Sequence, residues 1–550
     1  MEREGLPGRA PRRGDRPLGP HRRPRRLLRR PHQRPRLQGR ALARGDPGHD
    51  PQGARAALRP RRRRRLRGRP RALQHDPSVP GRRGAGRAPA DAGAGGDHEP
   101  GQGRLRRFGS TRTRPVRGAH TVGPMSSHAI EARAQDRVRD VIQSELTHIV
   151  DLRRRLHAAP ELQFEESRTA EIVAEELRAL GIGVRTGLCR GTGVVAYIPA
   201  TDAEGAARPA VALRGDMDAL PIVERTGKPW ASKTEGLMHA CGHDGHMAVL
   251  VGAARALVRL DERPNPVLLI FQPAEEGGGG ANIMCRQGVL RGEAEGGLGN
   301  PVGRIFGLHG WPNVPLGSVA TKPGALMASV DDFIVKVEGV QAHGAYPHQG
   351  RDPVLAAAHC VTALQQVASR NVGPLDSVVV TVGQIQGGTA NNIIPGEVTL
   401  VGTVRTLTPA NRALARQRFF EVVEGTARAC GCSAQIDYVE NFPVTANDPG
   451  LTAHFFDVAR ATIGGAKVVT LDAPTMGGED FAFYGQHVPA CFFFLGLKPD
   501  GVERMPGLHQ PDFDFNDDAL PMGVRLMVAL ATAHYTPAGA PFEPKPKRRA

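Results

Sequence analysis

Val267-Leu-Leu-Ile-Phe-Gln-Pro-Ala-Glu-Glu-Gly-Gly-Gly-Gly280 is the stretch on which the reading of the fold turns. Its apolar run is too short for a stable helix, and its bulk suits a strand covered on both faces. The run closes on Glu275 and Glu276, and four glycines follow. Adjacent acids most often open a solvated helix. At the end of an apolar strand they fall instead where the C-terminal edge of a sheet presents ligands. The glycines lack the Gly-Lys-Ser/Thr ending and the GxGxxG spacing of phosphate loops, so nucleotide binding is not expected. Flexibility near a site, or close backbone approach, is the expected use.

Outward from this stretch, strand-like runs lie at 194–198 and 211–213, the second leading into Asp216-Met-Asp218. Strand alternation places those two carboxylates on one face with Met217 turned away, either orienting a ligand or lying in a solvated turn. Next comes Met238-His-Ala-Cys-Gly-His-Asp-Gly-His246, after which Val249, Leu250, Ala253, Leu257 and Leu260 keep helical spacing. The apolar run 305–308 stops at His309, which puts that imidazole at a strand end as well. Further upstream, Val141, Leu146, Ile149, Val150, Leu152 and Leu156 share one broad helical face. Strands alternating with helices predict an α/β fold with a mostly parallel sheet covered on both faces.

The rhythm changes after about 327. A strand at 333–340 precedes a helix face of Val354, Leu355, Val361, Leu364 and Val367. Strands at 378–385 and 398–406 bracket Gly387-Gly388, and a helix at 410–430 leads to a strand at 434–439. This βαββαβ order is the split arrangement of a ferredoxin-like α+β domain. Strand and helix material resumes afterwards, and His509 lies beyond it, so the unit reads as an insertion. The expected organisation is a catalytic domain over 125–327 and 438–535, interrupted by an inserted domain over 328–437.

The net charge of +18 belongs to one end. Residues 1–124 hold 34 arginines, no lysine and nine acidic residues, a local charge of +25, leaving −7 for residues 125–550. Rich in Pro and Gly and poor in aromatics, that segment cannot bury enough surface to offset the entropy of ordering. It reads either as an electrostatic arm for nucleic acid, with Arg61 to Arg65 neutralising phosphates, or as an extension upstream of a start at Met125. The absence of lysine favours the extension. Residues 536–550 read as a frayed tail. No apolar run is long enough to span a membrane. Seven cysteines without framework spacing fit reduced thiols and a cytoplasmic protein.

Cys241-Gly-His243, Glu275-Glu276 and His309 are each weak signals alone. Together, a thiol, imidazoles and carboxylates satisfy borderline cations such as Zn²⁺ or Mn²⁺. Glu276 can coordinate while Glu275 stays free to take a proton from water, whose pKa a metal draws from about 15.7 towards about 7. A base so placed adds roughly 10²–10⁴-fold.

The chain resembles the M20 metallopeptidases, in particular the amidohydrolase branch of hippurate hydrolases, N-acyl-amino-acid amidohydrolases and auxin-conjugate hydrolases. The matching stretches begin with Leu156-His-Ala-Ala-Pro-Glu161, Arg214-Gly-Asp-Met-Asp-Ala-Leu-Pro221 and Met238-His-Ala-Cys-Gly-His-Asp244. They continue through Phe271-Gln-Pro-Ala-Glu-Glu-Gly277, Gly307-Leu-His-Gly310 and Gly387-Gly-Thr-Ala-Asn-Asn-Ile-Ile-Pro395. Gly402-Thr-Val-Arg405 and Met476-Gly-Gly-Glu-Asp-Phe481 complete the set. The resemblance implies a zinc-peptidase-like catalytic domain holding two divalent ions, Mn²⁺ or Zn²⁺ with Co²⁺ or Ni²⁺ as other occupants. Their ligands would be Cys241, His243, Glu276, His309 and His509, with the Cys241 thiolate able to bridge. It further implies Glu275 as general base, with Asp218 in the catalytic set. The inserted unit would be a lid and dimerisation domain, making the enzyme a dimer or tetramer. His343 of that unit would help stabilise the oxyanion, and Asn392 and Arg405 would grip the substrate, Arg405 through its carboxylate. The residues 291–301 are longer than the family pattern and read as a disordered surface loop.

The expected activity is therefore metal-dependent hydrolysis of the amide bond of small N-acyl amino acids, aroyl or acetyl. A dipeptidase or an N-acetyl-amino-acid deacetylase with the same site is the alternative. A nucleic-acid-binding protein using the arginine-rich arm is the alternative of another class, although no nucleic-acid or membrane partner is expected for the enzyme itself.

Overall fold

The computed structural model describes residues 127–537, with side chains from residue 136 onward. The arginine-rich segment, a start at Met125 and nearly all of the expected tail lie outside the described residues.

An eight-stranded sheet carries the molecule. Its spatial order is Gly183–Leu188, Gly193–Ile198, Val267–Gln272, Ala210–Asp216, Val302–Pro315, Ala490–Lys498, Val319–Thr321 and Val468–Thr470. The four central strands, Val267–Gln272 to Ala490–Lys498, run parallel, and the strands next to them, Gly193–Ile198 and Val319–Thr321, pair antiparallel with them. Side chains of these strands alternate between two cores. Leu213, Leu269, Phe271 and Phe493 face one, beside the helices His243–Leu257 and Leu520–Thr532. Ala212, Leu268, Ile270 and Phe492 face the other, beside the short helix Gly280–Arg286. Burial on both faces is why these strands read as continuous apolar runs. The helix Ser127–His157 packs on the first face through Ile149, Leu152 and Leu156.

One strand departs from expectation. The strand Val302–Pro315 does not stop at Leu308 but continues to Pro315, because Ala490–Lys498 pairs with it over nearly its whole length, Phe494 opposite His309. His309 therefore sits inside a strand. Its other neighbour, Ala210–Asp216, pairs only as far as Gly307, so His309 lies where one side of the strand has become free to carry a site.

Residues 329–442 form a second sheet of four antiparallel strands, in the order Val378–Gly387, Glu397–Thr406, Ser329–Glu338, Ser433–Phe442. Numbered along the chain, that order is 2-3-1-4, the split-βαβ pattern. The helices Pro353–Gln366 and Pro409–Ala429 cover one face around Phe333, Leu364, Leu400 and Phe419. Both start on a proline, behind caps in which Asp352 accepts from Val354 N at 2.9 Å and Thr408 from Asn411 N at 3.1 Å.

The residues 291–301 are not loose. Glu293 N donates to Gly299 O at 2.7 Å, and the Asn300 amide donates to Ala206 O and Arg208 O, both at 2.7 Å.

Candidate metal centre

Four chain segments converge at the C-terminal ends of the parallel strands. In the first, Gly242 takes φ +83°, a left-handed turn that L side chains rarely adopt, and this reverses the chain between Cys241 and the helix His243–Leu257. Gly245 is required for a different reason. A Cβ there would lie 2.4 Å from the Phe515 ring, which packs directly on the helix start.

In the second segment, Ala274, Glu275 and Glu276 leave the strand Val267–Gln272 under tight constraint. Ala274 takes φ +57°, and its N–H donates to the Glu166 carboxylate at 2.8 Å. The next two N–H groups donate to the two oxygens of Asp218, at 3.0 and 2.9 Å. Gly280 then passes so close to Pro273 O that a Cβ would sit 1.7 Å from it, which accounts for one of the four glycines. Asp216 and Asp218 are both fully buried, so the solvated-turn reading fails. Asp216 accepts from His246 Nδ1 at 2.6 Å and from Arg214 at 2.7 Å, and lies 3.6 Å from His243 Nε2.

The third and fourth segments bring His309 and His509. The ring of His309 donates from Nδ1 to Gly310 O at 2.8 Å, which leaves the Nε2 lone pair 3.3 Å from Cys241 Sγ. His509, half-exposed at φ +62°, is anchored by its N–H on Ala240 O at 2.9 Å. Its Nε2 lies 3.1 Å from Glu276 Oε1. The ring of His243 donates from Nδ1 to Asp218 O at 2.8 Å, leaving a buried Nε2 with no hydrogen-bond partner.

Among the described residues five groups of metal-competent atoms lie within 4.8 Å of one another, and two of them contain the thiol: Cys241 with His243 and His309, and Cys241 with Glu276 and His509. They share Cys241. Electrostatics point the same way. Asp216, Asp218, Glu275, Glu479 and Asp480 are buried with the part-buried Glu276 beside them, and the buried Arg214 guanidinium pairs with Asp216, Glu479 and Asp480. Burial, then Glu479, Glu276 and Asp480, push the Glu275 carboxyl well above its usual range. Burial followed by Glu276 and Glu275 does the same to the Cys241 thiol. Burial opposes charge on His243, but Asp216 and Asp218 raise its pKa to about 10. Other groups of the cluster shift the opposite way: against burial, the contact with His509 lowers Glu276, and burial keeps His309 neutral. Divalent cations would supply positive charge here while displacing the protons held on Glu275, Cys241 and His243. The donor set and the orphaned His243 nitrogen thus fit such ions.

Several contributors escaped the sequence reading. His246 donates from Nδ1 to Asp216 and accepts from Gly310 N at Nε2, 2.8 Å away. Both its nitrogens are spent, so it braces the His309 strand. Its helical spacing from His243 was the available signal. Arg214 opens one of the matching stretches, and nothing in the sequence marks its partners. Fully buried, it donates to Gln272 at 2.8 Å, to Asp216, and to Glu479 and Asp480, each at 3.0 Å. His239, also buried, has both ring nitrogens without a partner among the described residues.

The inserted unit divides its three residues. His343 and Asn392 lie exposed on a ribbon in which Ala342–His343 pairs with Ile393–Ile394, and Gly344 N donates to Asn392 O at 2.6 Å. His343 Nδ1 accepts from Ala345 N at 3.0 Å, so its proton belongs on the outward Nε2. None of these contacts reaches the Cys241 cluster. Arg405 comes nearer: its Nη1 lies 3.0 Å from where a Cβ on Gly478 would stand, beside Glu479. It donates to Thr403 Oγ1 at 3.1 Å, while Asp331 is taken up by Arg412 and Tyr438.

With this geometry in hand, comparison with known proteins defines the class. Residues 212–533 match the model of peptidase family M20/M25/M40. The chain belongs to this family of metallopeptidases and amidohydrolases. It is 42% identical over 374 residues to the N-acetyl-L-cysteine deacetylase of Bacillus subtilis, covering 68% of this chain and 84% of that one. It is 39% identical over 391 residues to IAA-amino acid hydrolase ILR1-like 4 of Arabidopsis thaliana, covering 70% and 85%. Among solved structures, the YXEP protein of Bacillus subtilis, described as a dinuclear metal-binding peptidase, superposes with a TM-score of 0.59 at 34% identity. That match covers 71% of this chain and 98% of the other. No helix among the described residues is long and apolar enough to cross a membrane.

Proposed function

We propose that the chain hydrolyses the amide bond of small N-acyl amino acids, with two divalent ions held by Cys241, His243, Glu276, His309 and His509. The observation that carries this reading is the pair of metal-competent groups sharing Cys241, with the buried Glu275 alongside: His243, Glu275 and Glu276 also lie within 4.8 Å of one another. Relatives named for acetyl and indoleacetyl amino acids support the substrate class. Bound ions would supply Lewis acidity, polarising the scissile carbonyl and acidifying water.

The residues do the rest. Glu275, held by Asp218 through its own N–H, takes the proton of the attacking water and returns it to the leaving amine. Arg405 receives the substrate carboxylate in its fork. His343, donating from Nε2, meets the developing oxyanion once the inserted unit closes or a second copy presents its ribbon, with Asn392 beside it. In this reading residues 328–437 act as lid and dimerisation domain between the two parts of the catalytic domain. All seven cysteines are unpaired, which supports the cytoplasm as its place.

Glu275→Gln tests the assignment. It should retain the ions of the wild type by elemental analysis while losing most turnover. A variant that stays active removes Glu275 as the base. Hippurate, N-acetyl amino acids, indoleacetyl amino acids and dipeptides, each with Mn²⁺, Zn²⁺ or Co²⁺, would separate the amidohydrolase from the dipeptidase reading by the products released.

A further inference from the structure

The Leu156-His-Ala-Ala-Pro-Glu161 motif contributes nothing to the Cys241 cluster directly. His157 ends the helix Ser127–His157 and is fully buried. Its Nδ1 lies 2.9 Å from Asp244 Oδ2 and its Nε2 lies 3.3 Å from Glu224 Oε1. A neutral imidazole carries one N–H and would set a bare nitrogen against a carboxylate oxygen, so both contacts are attractive only for the imidazolium. Burial opposes that charge, but Asp244 and then Glu224 raise the pKa to about 9. The helix C-terminus also favours a cation there.

One turn earlier stands Arg153, fully buried as well. Its Nε lies 2.8 Å from Asp244 Oδ2, its Nη1 lies 3.4 Å from Asp517 Oδ1, and its Nη2 pairs with Asp514. Asp244 directly follows His243, whereas Asp514 and Asp517 follow His509 along the chain. The loop of Glu224 joins the same side: Arg225 N donates to Pro511 O at 2.6 Å, and Trp230 Nε1 lies 3.4 Å from Asp514.

We infer that Arg153 and His157 are positioning residues, a buried pair of cations that fixes the segment of Cys241 and His243 against the segment of His509. The two metal-competent groups come from chain segments far apart in sequence, and they can share Cys241 only while those segments keep their relative place. Without the cations, Asp244, Glu224 and Asp514 would face one another across the junction uncompensated, and Asp517 would keep only the half-exposed Arg154 at 2.8 Å. The inference rests on the metal reading proposed above and deepens it.

Titration of the metal-stripped full chain with Co²⁺ tests it, read by the absorption of the cobalt–thiolate bond at Cys241. His157→Gln keeps one donor for Asp244 but loses the second charged contact. Arg153→Lys keeps the charge but loses the fork that spans three carboxylates. Each should bind Co²⁺ about 10–100-fold more weakly with unchanged circular dichroism. The double variant should fall short of the product of the two losses, because both act on one junction. Leu364→Ala, in the core of the inserted unit, provides the comparison: it lowers stability without moving Co²⁺ affinity, as a merely structural residue would. Affinities within about twofold of wild type in both variants overturn the inference, by the same arithmetic that equates small factors with negligible free energy. A Cys241→Ser chain that keeps wild-type Co²⁺ binding would instead overturn the metal reading beneath it.

Discussion

Asp218→Asn offers the sharpest test of how the acid pair is held. Asp218 is buried, and its two oxygens accept the N–H groups of Glu275 and Glu276 at 3.0 and 2.9 Å. Asparagine supplies one oxygen and one NH₂, so one of those N–H groups loses its acceptor and meets a donor. A hydrogen bond to a charged group is worth about 1.5–3 kcal/mol, and the surviving bond weakens because its acceptor is no longer ionised. If the loop must recover its geometry in the transition state, this loss appears in the barrier, at a tenfold rate change for each ~1.4 kcal/mol. The expected fall in kcat/KM is therefore about 10–150-fold. The assay is turnover of an N-acetyl amino acid, with bound ions counted by elemental analysis on the same preparation. Activity within about twofold of wild type would refute the loop-holding role. A loss as deep as that of Glu275→Gln would refute it differently, by placing Asp218 in the proton transfer itself.

Two further outcomes follow from the same geometry. Arg214→Met leaves Asp216, Glu479 and Asp480 without their shared cation and should cost about 3–5 kcal/mol in denaturant unfolding, whereas an unchanged midpoint would mean that the acids find other compensation. Burial above all raises the Glu166 carboxyl from 4.5 to about 7, so the folded chain holds this proton more tightly than the unfolded one. Stability from this group is then greatest below about pH 4.5 and declines as pH rises to about 7, by about 3 kcal/mol in total. Glu166→Gln keeps an acceptor for Ala274 N and offers an NH₂ to the Thr192 hydroxyl, which turns from donor to acceptor, and it should remove that slope. Equal slopes in thermal or denaturant unfolding between pH 5 and 8 would contradict it.

The parts of the site that could be read from sequence are those made within a few residues. Gly242 turns the chain between Cys241 and His243 wherever that tripeptide sits, and Glu275-Glu276 closes an apolar strand in plain view. His309 lies inside its strand and not at its end. An apolar run breaks at its first polar residue, whereas the strand ends where pairing ends, and Ala490–Lys498 carries pairing on to Pro315. His246 shows the converse. It is as metal-competent as His243 by type and spacing, yet Asp216 and Gly310 N occupy both its nitrogens. Donor type is a property of sequence, but a free lone pair is a property of packing.

By itself, the sequence determined the α/β class, the βαββαβ order of the second unit and the residue types from which a cation site could be built. Those features rest on periodicity and local backbone preference, which act over one or two turns of chain. Only the tertiary structure decided which of these groups meet. Arg214 reaches Glu479 and Asp480, and Arg153 joins Asp244 to Asp514, across hundreds of intervening residues. Such pairs are selected by burial, since a charge removed from water must find its partner wherever the fold has brought one.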